Sequence, residues 1–234
     1  MNELLLLITG VVSASFVLAG WKLGKERLYS VIIIFLILVA TVGAKIVSFF
    51  GHETNTGNIF YASTFLATYF LIERYGRREG TFSIWMGIIA VLFFSVLVQI
   101  TISLTGSPST APLNDALSIA FGAVPRVALA SLCAYALSQS LNVYLYLLLK
   151  RRMQGAYLWL RANISNAVAQ LFDSVVFFMI AFWGVVPYAR VWDLILTGFM
   201  IKVVYMMIAS LLLYLNTIEE EDDGDGNVMI TLRA

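Results

Sequence analysis

Three polar side chains, Asn166, Gln170 and Asp173, recur at i, i+4 and i+7 inside a mostly apolar stretch, YLWLRANISNAVAQLFDSVVFFMIAFW (157–183), that also carries Arg161 and Asn163. At 3.6 residues per turn this spacing puts all three on one face of a helix. A carboxylate accepts hydrogen bonds and a carboxamide both donates and accepts, so the chemistry on offer is recognition of a ligand or of a neighbouring helix. The stretch is long enough to cross a bilayer, for which about 20 apolar residues suffice. A carboxylate at mid-span costs about 2.5–3.5 kcal/mol even on the milder insertion scales, so Asp173 is expected to face a partner or a wet cavity rather than lipid.

The elements that position this face are read from composition. Of 234 residues 60% are hydrophobic and only 12% charged, about half the charged share of a soluble domain, which marks an integral membrane protein with little mass outside the bilayer. Seven apolar segments are expected, at about 3–21, 28–50, 58–74, 82–104, 125–148, 160–183 and 191–216. Together they predict an all-α polytopic helical bundle forming a single transmembrane domain over 1–218. The first segment starts MNE, with none of the Lys or Arg of a secretory signal, and is expected to be retained. TGSPSTAPLND (105–115) reads as a loop followed by a short surface helix ending near Pro125. Residues 219–234 carry EEEDDGDG and read as an acidic, solvated, disordered tail.

Charge sorts the connections. Lys22, Lys25, Arg27, Arg74, Arg77, Arg78, Lys150, Arg151, Arg152 and Arg161 fall in one set of loops, and Arg190 alone in the alternate set. The positive-inside rule then places the N-terminus outside and the C-terminus in the cytoplasm. Asp173 lies 12 residues beyond Arg161, and Lys202 lies 12 beyond Arg190, so each sits about 18 Å from its own face of a core about 30 Å thick. The two are expected to meet near the midplane as an ion pair, structural when empty and open to a ligand. Lys45 and Arg126 lie towards the outer end, where long side chains reach the interface. With Ser138, Gln139 and Asn142 they outline a cavity open to the outside. Glu73 adjoins Arg74, Arg77 and Arg78 at the inner mouth, as a charge-paired helix end or as a gate.

Several chemistries are excluded. One Cys (Cys133) and one His (His52) cannot assemble an ordinary nitrogen and sulfur metal site, and no disulfide framework exists. His52 has no accompanying nucleophile motif, a single mid-span Asp cannot make an aspartyl dyad, and no GxxxxGK[ST] loop is present. Neither catalysis, a metal nor a cofactor is expected, and a net charge of +1 gives no sign of nucleic-acid binding.

Two stretches carry a family resemblance: YASTFLATYFLIERYGRREG (61–80) and RVALASLCAYALSQSLNVYLYLLLKRRMQGAYLWLRANISNAVAQLFDSVVFF (126–178). GVVP (184–187) and Lys202 extend it. Across about 30–216 the chain resembles the queuosine precursor transporter family, also called the vitamin uptake transporter family. The resemblance implies import of a 7-deazaguanine base, the cyano or aminomethyl precursor of queuosine, across the bacterial or archaeal cytoplasmic membrane. Such a base presents a ring N–H beside an amino group, which a carboxylate accepts as a forked pair. Asp173 is the expected acceptor, Lys202 its resting partner, and Asn142, Asn166 and Gln170 the orienting amides. Tyr69, Tyr205, Trp159 and Phe177 are expected stacking surfaces, and Arg126 and Lys45 shape the entrance. The chain departs from the family at Tyr69 and Met206, where carboxylates are usual, which favours a neutral substrate. Two alternatives stay open. One is a substrate-capture subunit that docks on a separate ATP-driven module through small residues such as Gly10 and Ala14, with a homo-oligomer also open as a partner. The other is a structural subunit whose polar face only locks helices together.

Overall fold

The computed structural model describes residues 2–43, 45–50, 52–122, 125–182, 188–222 and 228–232. In chain order the helices are α1 (Asn2–Leu23), α2 (Lys25–Thr41), α3 (Gly57–Tyr75), α4 (Arg77–Ser103), α5 (Ala111–Gly122), α6 (Pro125–Arg152), α7 (Leu158–Phe182) and α8 (Tyr188–Thr217). A 3-10 turn (Pro108–Thr110) and two antiparallel hairpins complete the regular structure of the described residues: β1 (Ile46–Phe49) with β2 (His52–Asn55), and β3 (Ile218–Asp222) with β4 (Val228–Leu232). The architecture is therefore an all-α bundle, and the short helix expected after a 105–115 loop is α5, which already begins at Ala111 within that stretch. By length and apolar content α1, α4, Leu129–Arg152 of α6 and Leu158–Ile180 of α7 can each cross a membrane.

Helix α3 runs through the middle of the bundle. Fifteen of its 19 residues are buried, including Asn58, Ser63, Thr64 and Thr68, because α1, α2, α4 and α8 all pack on it. Its hydroxyls bond within the helix: Ser63 donates to Ile59 O, Thr64 to Tyr61 O and Thr68 to Thr64 O, at 2.7–2.9 Å. Polar side chains thus pack there without orphaned donors. The outer helices invert the soluble pattern. On α1, Leu4, Leu7, Val11 and Val12 are exposed, while Gly10, Ser13, Ala14 and Val17 are buried. Acyl chains solvate that apolar face where water would not. A Cβ on Gly10 would come within 3.1 Å of the Tyr205 ring, so Gly10 serves contact between α1 and α8 inside this fold.

The second apolar segment is shorter than the expected 28–50. The N–H groups of Val42 and Gly43 both bond Leu38 O at 3.0 Å, which closes α2 at Thr41. The β-branched Ile46 and Val47 then pair with the polar strand β2, whose register is held by Thr56 N to Lys45 O and Gly57 N to Gly43 O. Lys45 therefore sits in a turn with an exposed side chain rather than inside a span.

The basic connections do gather at one end. Gly24 and Gly76 are each the single residue between two helices, at φ/ψ of 108°/174° and 88°/176°, a region that side chains other than glycine's hydrogen hardly tolerate. Around them Arg74 Nη1 donates to Trp21 O at 3.1 Å with its guanidinium over the Trp21 ring. Lys25 Nζ lies 3.6 Å from Glu79 Oε2, and Tyr29 Oη donates to the same carboxylate. Replacing Gly76 with Ala should lower the thermal midpoint of the detergent-solubilised protein, by about 1–3 kcal/mol of strain. An unchanged midpoint would show that the connection relaxes freely.

Candidate functional site

Helix α7 sorts its residues as their spacing predicts. Leu160, Ile164, Val168 and Leu171 are exposed, whereas Arg161, Ala162, Ser165, Asn166, Ala169, Gln170 and Asp173 are buried. Helix α6 turns Ala134, Ser138, Asn142 and Tyr146 inward at a similar period. Both faces meet α3, and two polar layers result.

The central layer is built on Asp173. Lys202 Nζ, from α8, lies 3.0 Å from Asp173 Oδ2, and both residues are buried. Tyr61 Oη donates to Asp173 Oδ1 at 2.6 Å, and Ser138 Oγ donates to the same oxygen at 3.2 Å. Lys202 Nζ also stands 4.9 Å from the centre of the Tyr61 ring, a cation–π contact that strengthens as water is excluded. Four helices thus converge on one carboxylate. Along α7 from it, Gln170 Nε2 donates to Asn166 Oδ1 at 3.5 Å. Asn166 Nδ2 and Gln170 Oε1 are buried without a partner among the described residues. A buried polar atom left unpaired costs about 1–3 kcal/mol. Tyr135 Oη, Asn163 Oδ1 and Arg161 Nε are likewise unpartnered among the described residues, but only Asn166 and Gln170 lie on consecutive turns of the face that carries Asp173.

The inner layer is built on Glu73, whose side chain is 5% exposed. Arg161 Nη2 lies 2.9 Å from Glu73 Oε1, Lys150 Nζ lies 3.2 Å from Oε2, and Tyr146 Oη donates to Oε1. Arg161 also donates to the carbonyls of Gly155 and Ala156 in the α6–α7 connection. The ends of α3, α6 and α7 are welded by this group. Tyr69 joins the two layers. Its ring stacks on Tyr146 at 4.9 Å, and its hydroxyl donates to Asn142 Oδ1 at 2.8 Å or to Ala162 O at 2.9 Å.

The structure pairs Asp173 with Lys202 in the central layer and puts Gln170 and Asn166 on the same face of α7; Tyr69 and Asn142 bond each other between the layers, and Glu73 lies in the inner layer, apart from Asp173. Glu73 is paired with Arg161 and Lys150 in place of the neighbouring Arg74, Arg77 and Arg78, because the α6–α7 turn delivers both cations to the end of α3. Lys45 is not brought in, and the side chain of Arg126 lies outside the described residues. Of the aromatic candidates, Tyr69 has one face covered by Tyr146. Tyr205 Oη is hydrogen-bonded with Ser63 Oγ at 2.6 Å, and Trp159 Nε1 donates to Met207 O at 3.2 Å. Met206 is fully buried. Sequence reasoning missed Tyr61 and Tyr146, and used Arg161 only as a topological marker. Tyr61, Thr68 and Tyr69 do recur at i, i+7 and i+8, but a helix buried on every side gives such a stripe no contrast.

A lipid-facing helical bundle closed around a buried carboxylate and unpaired amides is a multi-pass membrane protein with an occluded polar interior. Residues 55–216, which contain every helix of both layers, match the family described as "Putative vitamin uptake transporter", and the chain belongs to that family of transporters. It is 37% identical over 172 residues to the "Probable queuosine precursor transporter" of Bacillus subtilis (strain 168), covering 70% of this chain and 72% of that protein. It is 30% identical over 140 residues to the "Queuosine precursor transporter" of Escherichia coli (strain K12), covering 58% of this chain and 59% of that protein. No solved structure matches the chain at a significant level.

Removing one member of a buried pair leaves the other charge uncompensated, at about 3–5 kcal/mol. Lys202→Met should therefore destabilise the purified protein by about that amount, and Asp173→Asn with Lys202→Met should recover most of it. Additive losses in a double-mutant cycle of thermal midpoints would show that the two residues do not depend on each other.

Proposed function

We propose that this protein imports a queuosine precursor, a 7-deazaguanine-type base, across the cytoplasmic membrane, and that Asp173 is the carboxylate that holds it. One observation carries the assignment: a buried carboxylate lies beside an unpaired amide donor, Asn166 Nδ2, and an unpaired amide acceptor, Gln170 Oε1, on a single helix face. The relatives' names supply the ligand class that such a set fits.

The carboxylate already accepts three hydrogen bonds, so a forked contact with the base needs one to give way. Ser138 makes the longest of them, and its hydroxyl has an alternative acceptor in Tyr135 O at 3.4 Å. Turning Ser138 to that carbonyl frees a position on Oδ1, while Oδ2 keeps one beside Lys202. The ring N–H and amino group of the base then occupy the two positions. Asn166 donates to the ring carbonyl, and Gln170 accepts from a remaining N–H. Either amide can exchange its donor and acceptor by turning over. Tyr69 and Asn142 fix the floor of the site, and the Glu73 group closes its inner end.

Because every residue of this site is buried, the base enters only when the bundle opens. We place seven spans across the bilayer, the N-terminus outside and the acidic tail in the cytoplasm, in keeping with the basic connections at one end. Arg126 is assigned to the outer entrance, with Lys45 exposed at the same end. Docking of an ATP-driven module through Gly10 and Ala14 has less support, since that face is used against α3 and α8. Import needs no chemistry on the base, and no catalytic role is assigned to any residue.

A 7-deazaguanine that binds the folded form should raise the melting temperature of the purified protein, by about 2.7 kcal/mol of stabilisation at a hundredfold excess over Kd. Asp173→Asn should abolish both that rise and uptake in cells unable to make the base. Uptake by Asp173→Asn at the wild-type rate would remove Asp173 from the site, and a flat response of the wild type to all such bases would remove the ligand class.

A further inference from the structure

The buried charges of the interior can be counted layer by layer. Asp173 and Lys202 cancel in the central layer. Glu73 meets two cations, Arg161 and Lys150, in the inner one. Among the described residues the interior thus holds two carboxylates against three cations. It has no negative charge left for a ligand that brings a fourth.

Resting on the 7-deazaguanine reading above, we infer that Lys202 is a specificity-determining residue, making the site selective for an uncharged heterocycle and against the same ring carrying a protonated amine. Asp173 Oδ1 is shared by Tyr61 and Ser138, and Oδ2 is held by Lys202. With the ring N–H and amino group of the base on Asp173, an ammonium at position 7 lies across the ring from the carboxylate, whose charge Lys202 has already cancelled. Glu73, the other carboxylate of these two layers, lies 12 residues along α3 from Tyr61, about 18 Å away, and is already bound by Arg161, Lys150 and Tyr146. One of two cations would therefore remain buried and unpaired. A neutral N–H donor creates no such conflict, because Oδ2 accepts a second hydrogen bond without releasing Lys202. Met206, one turn beyond Lys202, is fully buried and offers an incoming cation no charge.

The test compares two ligands that share a ring, 7-cyano-7-deazaguanine and 7-aminomethyl-7-deazaguanine. Binding to the full-length protein in nanodiscs of uncharged lipid would be measured by calorimetry at a pH where the amine is protonated. The cyano base should bind at least about a hundredfold more tightly, the scale of one buried charge left unpaired. Lys202→Met removes the resident cation and should reverse the order, with the aminomethyl base now the tighter ligand. Lys202→Gln repeats the comparison if the methionine variant fails to fold. Equal affinities in the wild type, or a tighter aminomethyl base, would overturn the inference while leaving the base reading intact. Binding of neither base would overturn both. An unchanged preference in a folded Lys202 variant would show that the selectivity comes from something other than this charge.

Discussion

A carboxylate and an ammonium 3.0 Å apart, shut away from water, are costly to assemble and costlier to separate. The rest of this bundle depends on that pair. It explains why α7 and α8, whose outward surfaces are plain hydrocarbon, carry opposite charges at the same depth. It explains the inward aim of Tyr61 and Ser138, which complete the hydrogen bonding of Asp173. The same low dielectric that strengthens the pair makes an unpaired amide nearby expensive. The resting state is thus stable as a whole while Asn166 and Gln170 stay locally unsatisfied. A ligand that satisfies them draws its affinity from what folding left undone.

Helix α3 converts this interaction into architecture. It is the most enclosed helix and also unusually rich in hydroxyls, and those two properties are linked. In lipid an exposed polar helix would not be stable, whereas at the centre of the bundle its side chains meet partners on every side. Tyr61 reaches one layer and Glu73 the other, with Tyr69 between them. The two layers are thus tied to a single helix and bridged by the stacked pair of Tyr69 and Tyr146. The inner group holds the ends of three helices by charge as well as by packing.

Much of this was legible in the sequence, for identifiable reasons. The polar face of α7 showed because Asn166, Gln170 and Asp173 interrupt a long apolar run at helical spacing, and only a buried partner excuses such an interruption. Lys202 followed from counting residues between charged markers on two spans, since depth in a bilayer is nearly linear in residue number. The true partners of Glu73 did not follow. Nearness in sequence favoured Arg74, Arg77 and Arg78, while the turn that carries Arg161 and Lys150 across to α3 is a tertiary feature. Lys45 was misplaced because an apolar β-branched segment, Ile46–Phe49, reads as the continuation of a helix until its pairing with His52–Asn55 is seen. Tyr61 was hidden for the opposite reason, because its helix is uniformly buried and no residue on it stands out.

Contact between the proposed base and the Asp173 carboxylate can be read as a distance. Solid-state NMR on the protein in lipid, with aspartate carboxyl carbons labelled with carbon-13 and the ring and amino nitrogens of the base with nitrogen-15, would record it. Strong dipolar coupling between both nitrogens and one carboxyl carbon, absent in Asp173→Asn, is expected. Bound base with no coupling to any aspartate, or with coupling that persists in that variant, would contradict it.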